Sequence, residues 1–278
     1  MTNRQIKTLL CAITLLLVTV PAYGQGTAIQ PCTQTTSQPR ARLLNVDASV
    51  PADPDVEKVL APYSGKVREL SKVIGQLQGG LTKMGVGAGT LGNFVSDGIR
   101  AQAQAKLGKP VVLSVMNAGG LRRNDIAAGE LRSSDIFELL PFENALVALE
   151  VTGVQLQKLI QTATRDAQAG ARIQFKWNER DRPEFLSGNL LDGSGKEQEI
   201  DPEKTYTVVT IDYLLQVGGG AYAFLKEAKS VTPLNMTLRD AILNYIKSET
   251  AAGRPIRSVL DGRFVQVGPG PKSTEAPR

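Results

Sequence analysis

The run Pro110 to Met116 (PVVLSVM) is apolar on every side and then empties into Asn117-Ala118-Gly119-Gly120-Leu121-Arg122-Arg123. A strand without polar alternation must be covered on both faces, so it predicts a buried strand flanked by other layers. Helices are legible in the chain on both sides of it. Asp53-Pro54 supplies an N-cap and a proline at the first helical position, and apolar residues at 56, 59, 60, 63, 67, 70 and 74 trace one helical face. Pro62 is expected to kink that helix and Gly65 to weaken it. A second helix is expected over Gly92 to Leu107, and Ser133-Ser134-Asp135 caps a short one that Pro141 ends near Leu140. Ala145 to Val151 reads as a strand, followed at Thr152-Gly153-Val154-Gln155 by a capping box and a helix facing inward with Leu156, Leu159, Ile160 and Ala163.

Ile173 to Trp177 and Tyr206 to Tyr213 are β-rich runs, and Asp192-Gly193-Ser194-Gly195 marks a turn between them. The acids around Glu179 to Glu184 read as a solvated loop, and Thr237 opens a last helix carrying Leu238, Ala241, Ile242, Tyr245 and Ile246 on one face. Helices and strands interleave irregularly. That order favours an α+β fold with a mixed sheet packed against helices over a doubly wound parallel one.

The chain of 278 residues with 42% hydrophobic content folds, and its zero histidines remove the usual general base, the common catalytic triads and the commonest transition-metal ligand. Its net charge of +5 is spread along the sequence rather than gathered into a basic run, so nucleic acid is not an expected partner. Arg4 and Lys7, the apolar stretch Leu9 to Val20 and the small-residue site ending at Gly24 read as a signal peptide over 1–24. That stretch of 12 residues falls short of the roughly 20 that span a bilayer, so no stable membrane anchor is expected. The expected location is periplasmic or secreted. Loss of Arg4 and Lys7 lowers the charge from +5 to +3, and loss of Cys11 leaves Cys32 alone, which excludes an internal disulfide. Residues 25–49 read as a flexible lead-in, 50–267 as the globular body and 268–278 as a disordered tail.

Three loops can carry chemistry. In Asn117 to Arg123, Gly119 and Gly120 let backbone amides approach a ligand and Arg122 offers a fork for phosphate or carboxylate, unless this is a plain tight turn with solvated arginines. Leu139 to Asn144 places Phe142 beside the Asn144 amide, and Phe142 is either a site aromatic or core filler. Asp212 to Tyr222 ends a strand in a glycine run, which is either a flexible connection or one wall of a pocket holding Tyr213. No nucleophile elbow, Walker loop, dinucleotide fingerprint or cysteine cluster is present.

Taken together, LGNFVSDGIR at 91–100, NAGGLR at 117–122, GELRSSDIFELLPFEN at 129–144, LEVTGVQLQKLI at 149–160 and DPEKTYTVVTIDYL through GGGAY at 201–222 resemble the C-terminal domain of the 5'-nucleotidase family. The helix from Asp53 resembles the family's interdomain connector, so the resemblance implies a substrate-recognition half standing without its metallophosphoesterase domain. It also implies that Phe142 and Tyr213 sandwich a base, that Asn144 contacts the base, and that Asn117 and Arg122 lie near the phosphate. A nucleotide or nucleoside is the implied ligand and a separate metallophosphoesterase the implied partner. No cofactor is expected on this chain, and a divalent metal is expected only on that partner. Two positions depart from the family pattern: Thr90 stands where an arginine is common, and Gly220 replaces the aspartate of a GGDG motif. The alternative is a non-enzymatic binding or structural module with a drifted pocket.

Overall fold

The computed structural model describes residues 43, 47, 49–216 and 220–272. The expected signal peptide, most of the lead-in and residues 273–278 of the expected tail lie outside the described residues, as do residues 217–219 of the glycine run. Before Asp53, Asp47 accepts from the backbone and hydroxyl of Ser49. From Asp53 onward the chain forms one contact unit.

In chain order that unit holds α1 (Pro54–Leu70), β1 (Val73–Leu77), β2 (Leu81–Thr82), α2 (Gly89–Leu107), β3 (Leu113–Met116), β4 (Asp125–Ile126), β5 (Gly129–Arg132), α3 (Ser133–Leu139), β6 (Ala145–Thr152), α4 (Gly153–Thr162), β7 (Ala167–Ala169), β8 (Ala171–Trp177), β9 (Pro183–Leu191), β10 (Glu197–Gln198), β11 (Thr205–Ile211), α5 (Asp212–Gln216), β12 (Ser230–Thr237), α6 (Leu238–Ala251) and β13 (Phe264–Gln266). A five-stranded sheet runs β12-β6-β11-β3-β7, and a four-stranded one runs β10-β9-β8-β13. Each sheet contains one parallel pair, β11 with β3 and β13 with β8, among antiparallel ones. The fold is therefore α+β with mixed sheets, as the sequence predicts.

The centre of the larger sheet is buried because β3 and β11 carry apolar residues on both faces. In β3 and β11, Leu113, Val115, Val208, Val209 and Ile211 are all fully buried, each contributing about 1.5–3 kcal/mol of transfer free energy. Polar side chains survive there only with partners: Thr210 donates to the Val115 carbonyl at 2.8 Å and Ser114 to that of Ser96 at 2.8 Å. Helix α2 buries Leu91, Phe94, Val95, Ile99 and Ala103, spaced at helical period, and packs on α6 and on β3 and β7. At Gly98 a Cβ would stand 2.7 Å from Ile242 Cδ1 and 3.1 Å from the Tyr245 ring, so a side chain there would force these α6 side chains to shift.

Several local expectations need correction. The helix from Asp53 runs unbroken through Pro62 but stops at Leu70, and Ile74 belongs to β1 instead. Apolar spacing continues past Leu70 because β1 also buries residues, at period two. Helix α1 itself buries nothing. Ser133 starts α3 rather than capping it, while Asp135 accepts from the Arg132 N–H at 2.8 Å. The expected loop at Glu179 to Glu184 ends inside β9, which pairs with β8 from Trp177↔Pro183 onward. Its polar residues line the exposed margin of the small sheet, where strand formation needs no apolar run. Strand β11 ends at Ile211, so Tyr213 sits in the first turn of α5 and not on the strand.

Candidate functional site

Sheet topology gathers the three loops at one end of the larger sheet. Strands β3 and β11 are parallel, with Leu113 opposite Val208, so their C-terminal ends emerge side by side as Asn117 and Asp212. Strand β6 runs against β11 with Leu146 opposite Ile211, which brings the segment before Ala145 to the same end. Strand β7 runs against β3 with Ala167 opposite Met116, and this adds Asp166.

Asn117 precedes a single 3-10 turn, Ala118–Gly120, in which the Gly120 N–H donates to the Asn117 carbonyl at 2.9 Å. A Cβ on Gly120 would lie 3.2 Å from Met116 Cε and 3.5 Å from Asn117 Oδ1, whereas Gly119 is exposed. The turn therefore folds back over its own asparagine. Asn117 Oδ1 is buried and has no hydrogen-bond partner among the described residues. An unsatisfied buried acceptor costs about 1–3 kcal/mol, so this oxygen is poised for a donor.

The turn is pinned to the next segment at Arg122, whose N–H donates to the Leu139 carbonyl at 2.9 Å. Its exposed guanidinium carbon lies 5.7 Å from the centroid of the Phe142 ring, within cation–π range. Phe142 is 47% exposed and Tyr213 41% exposed, so neither is core filler. Asn144 is half-buried; its backbone carbonyl accepts from Leu238 at 2.8 Å, and its side-chain amide bonds to none of the described residues. The two aromatic segments share one carboxylate oxygen, since Asp212 Oδ1 accepts from Ala145 N–H at 3.0 Å and from Tyr213 N–H at 2.8 Å. Asp166 performs the same service on the other side. Its Oδ1 accepts from Ala118 N–H at 3.0 Å and its Oδ2 from the Tyr222 hydroxyl at 2.5 Å.

A second cation stands beside Arg122. Lys83 donates from Nζ to the Leu121 carbonyl at 2.8 Å. Partial burial, and then the charge of Arg122, holds its ammonium below the ordinary lysine range. Among the described residues neither Lys83 nor Arg122 has a carboxylate within ion-pair distance, whereas the neighbouring Arg123 is paired with Asp135 at 2.7 Å and Glu138 at 3.4 Å. Thr90, at the departure from the family pattern, accepts from the Thr82 N–H at 2.9 Å. It holds in place the strand end that delivers Lys83. Gly220, the other departure, is exposed at φ +85° with open space where a Cβ would be.

Sequence reading nominates Asn117, Gly119, Gly120, Arg122, Phe142, Asn144 and Tyr213, and the fold brings their segments to one edge. It misses Lys83, Asp166, Asp212 and Tyr222. Asp212 carries a usable signal, a carboxylate in the first turn of a helix right after a buried strand. For Lys83 and Asp166 the sequence holds none, because their partners are 38 and 48 residues away.

The chain belongs to the family described as "5'-nucleotidase, C-terminal domain", whose pattern matches residues 73–227. Among curated proteins it is 21% identical over 246 residues to the trifunctional nucleotide phosphoesterase protein YfkN of Bacillus subtilis, covering 84% of this chain and 16% of that protein. To the protein UshA of Yersinia enterocolitica it is 25% identical over 210 residues, covering 71% of this chain and 35% of that protein. Among solved structures, the 5'-nucleotidase precursor of Thermus thermophilus superposes with a TM-score of 0.61 at 22% identity over 80% of this chain and 45% of its own, a likeness of fold. The chain thus spans less than half the length of each of these three proteins.

The chain has no histidine, and among the described residues no group of three or more His, Cys, Asp or Glu side chains is placed to hold a metal ion. No helix among them is long and apolar enough to cross a membrane.

Proposed function

We propose that this chain is the nucleotide-recognition component of an exported 5'-nucleotidase-type system, with hydrolysis performed at the metal centre of a separate metallophosphoesterase. The observation that carries this reading is the pairing of unneutralised cations with exposed aromatics at one sheet edge: Arg122 against Phe142, with Lys83 beside it. Aromatic faces take a base, and two cations without carboxylates take a phosphate. The unpartnered Asn117 Oδ1 would accept from the ligand. The signal-like segment at 1–24 supports export, to the periplasm or beyond.

Helix α1 is the surface we assign to the phosphoesterase. Val56, Val59, Leu60, Tyr63 and Val67 are each at least 50% exposed, and a stripe of that kind on one helix face marks a contact. Holding a bound substrate against a metal centre is a positioning task that a non-covalent complex can perform.

The test is reconstitution. The purified chain alone is expected to release no phosphate from AMP above background with Mn, Mg or Zn ions, and the matching phosphoesterase to gain turnover or selectivity when it is added. A phosphoesterase equally active and equally selective without this chain would defeat the proposal. The second reading, a structural module with a drifted pocket, is favoured by Gly220, which offers no ribose acceptor.

A further inference from the structure

Asp166 stands where β7 begins, opposite the exit of β3, and its carboxylate bridges two loops that are remote in sequence. One oxygen accepts from Ala118 N–H, the first residue of the glycine turn, at 3.0 Å. The other accepts from the hydroxyl of Tyr222, at the far end of the glycine run, at 2.5 Å. Tyr222 is 5% exposed and packs in the core, and burial foremost, then the Asp166 charge, pushes its phenol far above the ordinary tyrosine range. The phenol is therefore a permanent donor, aimed at an acceptor on the ligand side of the sheet edge.

Residue type matters at this position. Both partners, an amide N–H and a phenol O–H, are donors, and only an acceptor-only group satisfies both at once. An asparagine would offer its oxygen to one and leave the other proton without an acceptor.

We infer that Asp166 is a positioning residue which, through Tyr222, fixes the Asn117–Arg122 turn relative to the 3-10 turn Ala223–Glu227 that packs against α5, the helix carrying Tyr213, so that the phosphate and base halves of the site are presented together. This rests on reading that edge as a nucleotide site. The chain of contacts runs from Tyr222 to Asp166 to Ala118, and Ala118 in turn holds Leu121, whose N–H donates to its carbonyl at 3.2 Å. Leu121 carries the carbonyl that Lys83 grips and precedes Arg122.

The experiment uses the full chain and two readouts. Hydrogen exchange without ligand compares the wild type with Tyr222→Phe, which removes one hydroxyl and keeps the ring; the Ala118, Gly120 and Leu121 amides are expected to exchange about three- to tenfold faster, the range set by losing one hydrogen bond. Calorimetry with AMP is expected to show Asp166→Asn and Tyr222→Phe each weakening binding by about three- to tenfold, and the double variant no more than either. If Asp166→Asn fails to fold, Tyr222→Phe carries both readouts. Unchanged turn exchange in Tyr222→Phe overturns the coupling, as does wild-type AMP affinity in that variant whatever its melting temperature. Faster turn exchange in a protein that binds no AMP upholds the coupling and defeats the nucleotide reading instead.

Discussion

The guanidinium of Arg122 lies over the ring of Phe142 at 5.7 Å, and this contact joins the glycine turn to the segment that follows α3. Neither side chain is buried. Phe142→Ala should therefore weaken nucleoside binding by about 1–3 kcal/mol, the scale of one base–aromatic stack, and shift stability by no more than about 0.5 kcal/mol. Calorimetry with adenosine, set beside a thermal melt, checks both. A loss of stability of about 3–5 kcal/mol would mark Phe142 as core.

Arg122 and Lys83 separate phosphate from base. Arg122→Ala should cost AMP about 1.5–3 kcal/mol and Lys83→Met about 1 kcal/mol, since the lysine already donates to Leu121. Adenosine should respond to neither. Equal losses for AMP and adenosine would remove phosphate from the account.

The pH dependence follows from Lys83. Burial first, and the Arg122 charge second, lower its folded pKa, so the folded protein gives up this proton before the unfolded chain does. Lys83 thus opposes folding below its folded pKa, and stability recovers as pH rises from there towards the ordinary lysine value. Binding runs the other way: AMP affinity should begin to fall below the ordinary lysine range, and Lys83→Met should flatten that limb. Titration calorimetry across alkaline pH reads it. An identical limb in the variant would assign the effect elsewhere.

Leu60→Glu on α1 should leave the melting temperature within a degree or so, because α1 buries nothing, and should abolish any gain from adding the phosphoesterase. Co-sedimentation of the two proteins checks the contact. A variant that still restores turnover would free α1 of that role.

Arg263 tests what holds the small sheet to the large one. Its guanidinium is buried and reaches Asp97 at 3.0 Å, Asp261 at 2.6 Å and the Gln168 carbonyl at 2.9 Å. Arg263→Ala should destabilise the chain by about 2–4 kcal/mol, less than a fully buried pair because both acids are partly exposed. Chemical denaturation measures it. A change under about 0.5 kcal/mol would show that the network contributes little.

The sequence reveals most where the physics is local. The capping box at Thr152 and Gln155 is present as expected, Thr237 caps α6 by accepting from Asp240 N–H, and the PVVLSVM run holds a buried strand ending at Met116. Strand β9 goes unread because its apolar residues, Phe185, Leu186, Leu190 and Leu191, fall in adjacent pairs on either side of Ser187-Gly188-Asn189 rather than in strict alternation. Tyr213 is misplaced because β-rich residues continue one turn beyond the last ladder pair, Thr205 to Ile211 against β6. At the site, residue type and glycine spacing expose the groups facing outward, while the carboxylate of Asp166 beneath them is defined only by which strands become neighbours.

The most direct measurement is a calorimetric titration of the purified chain with AMP and with adenosine under identical conditions. The account predicts saturable binding of both, tighter for AMP, with the difference removed in Arg122→Ala. No heat from either ligand at millimolar concentration, in a protein shown to be folded, would contradict it.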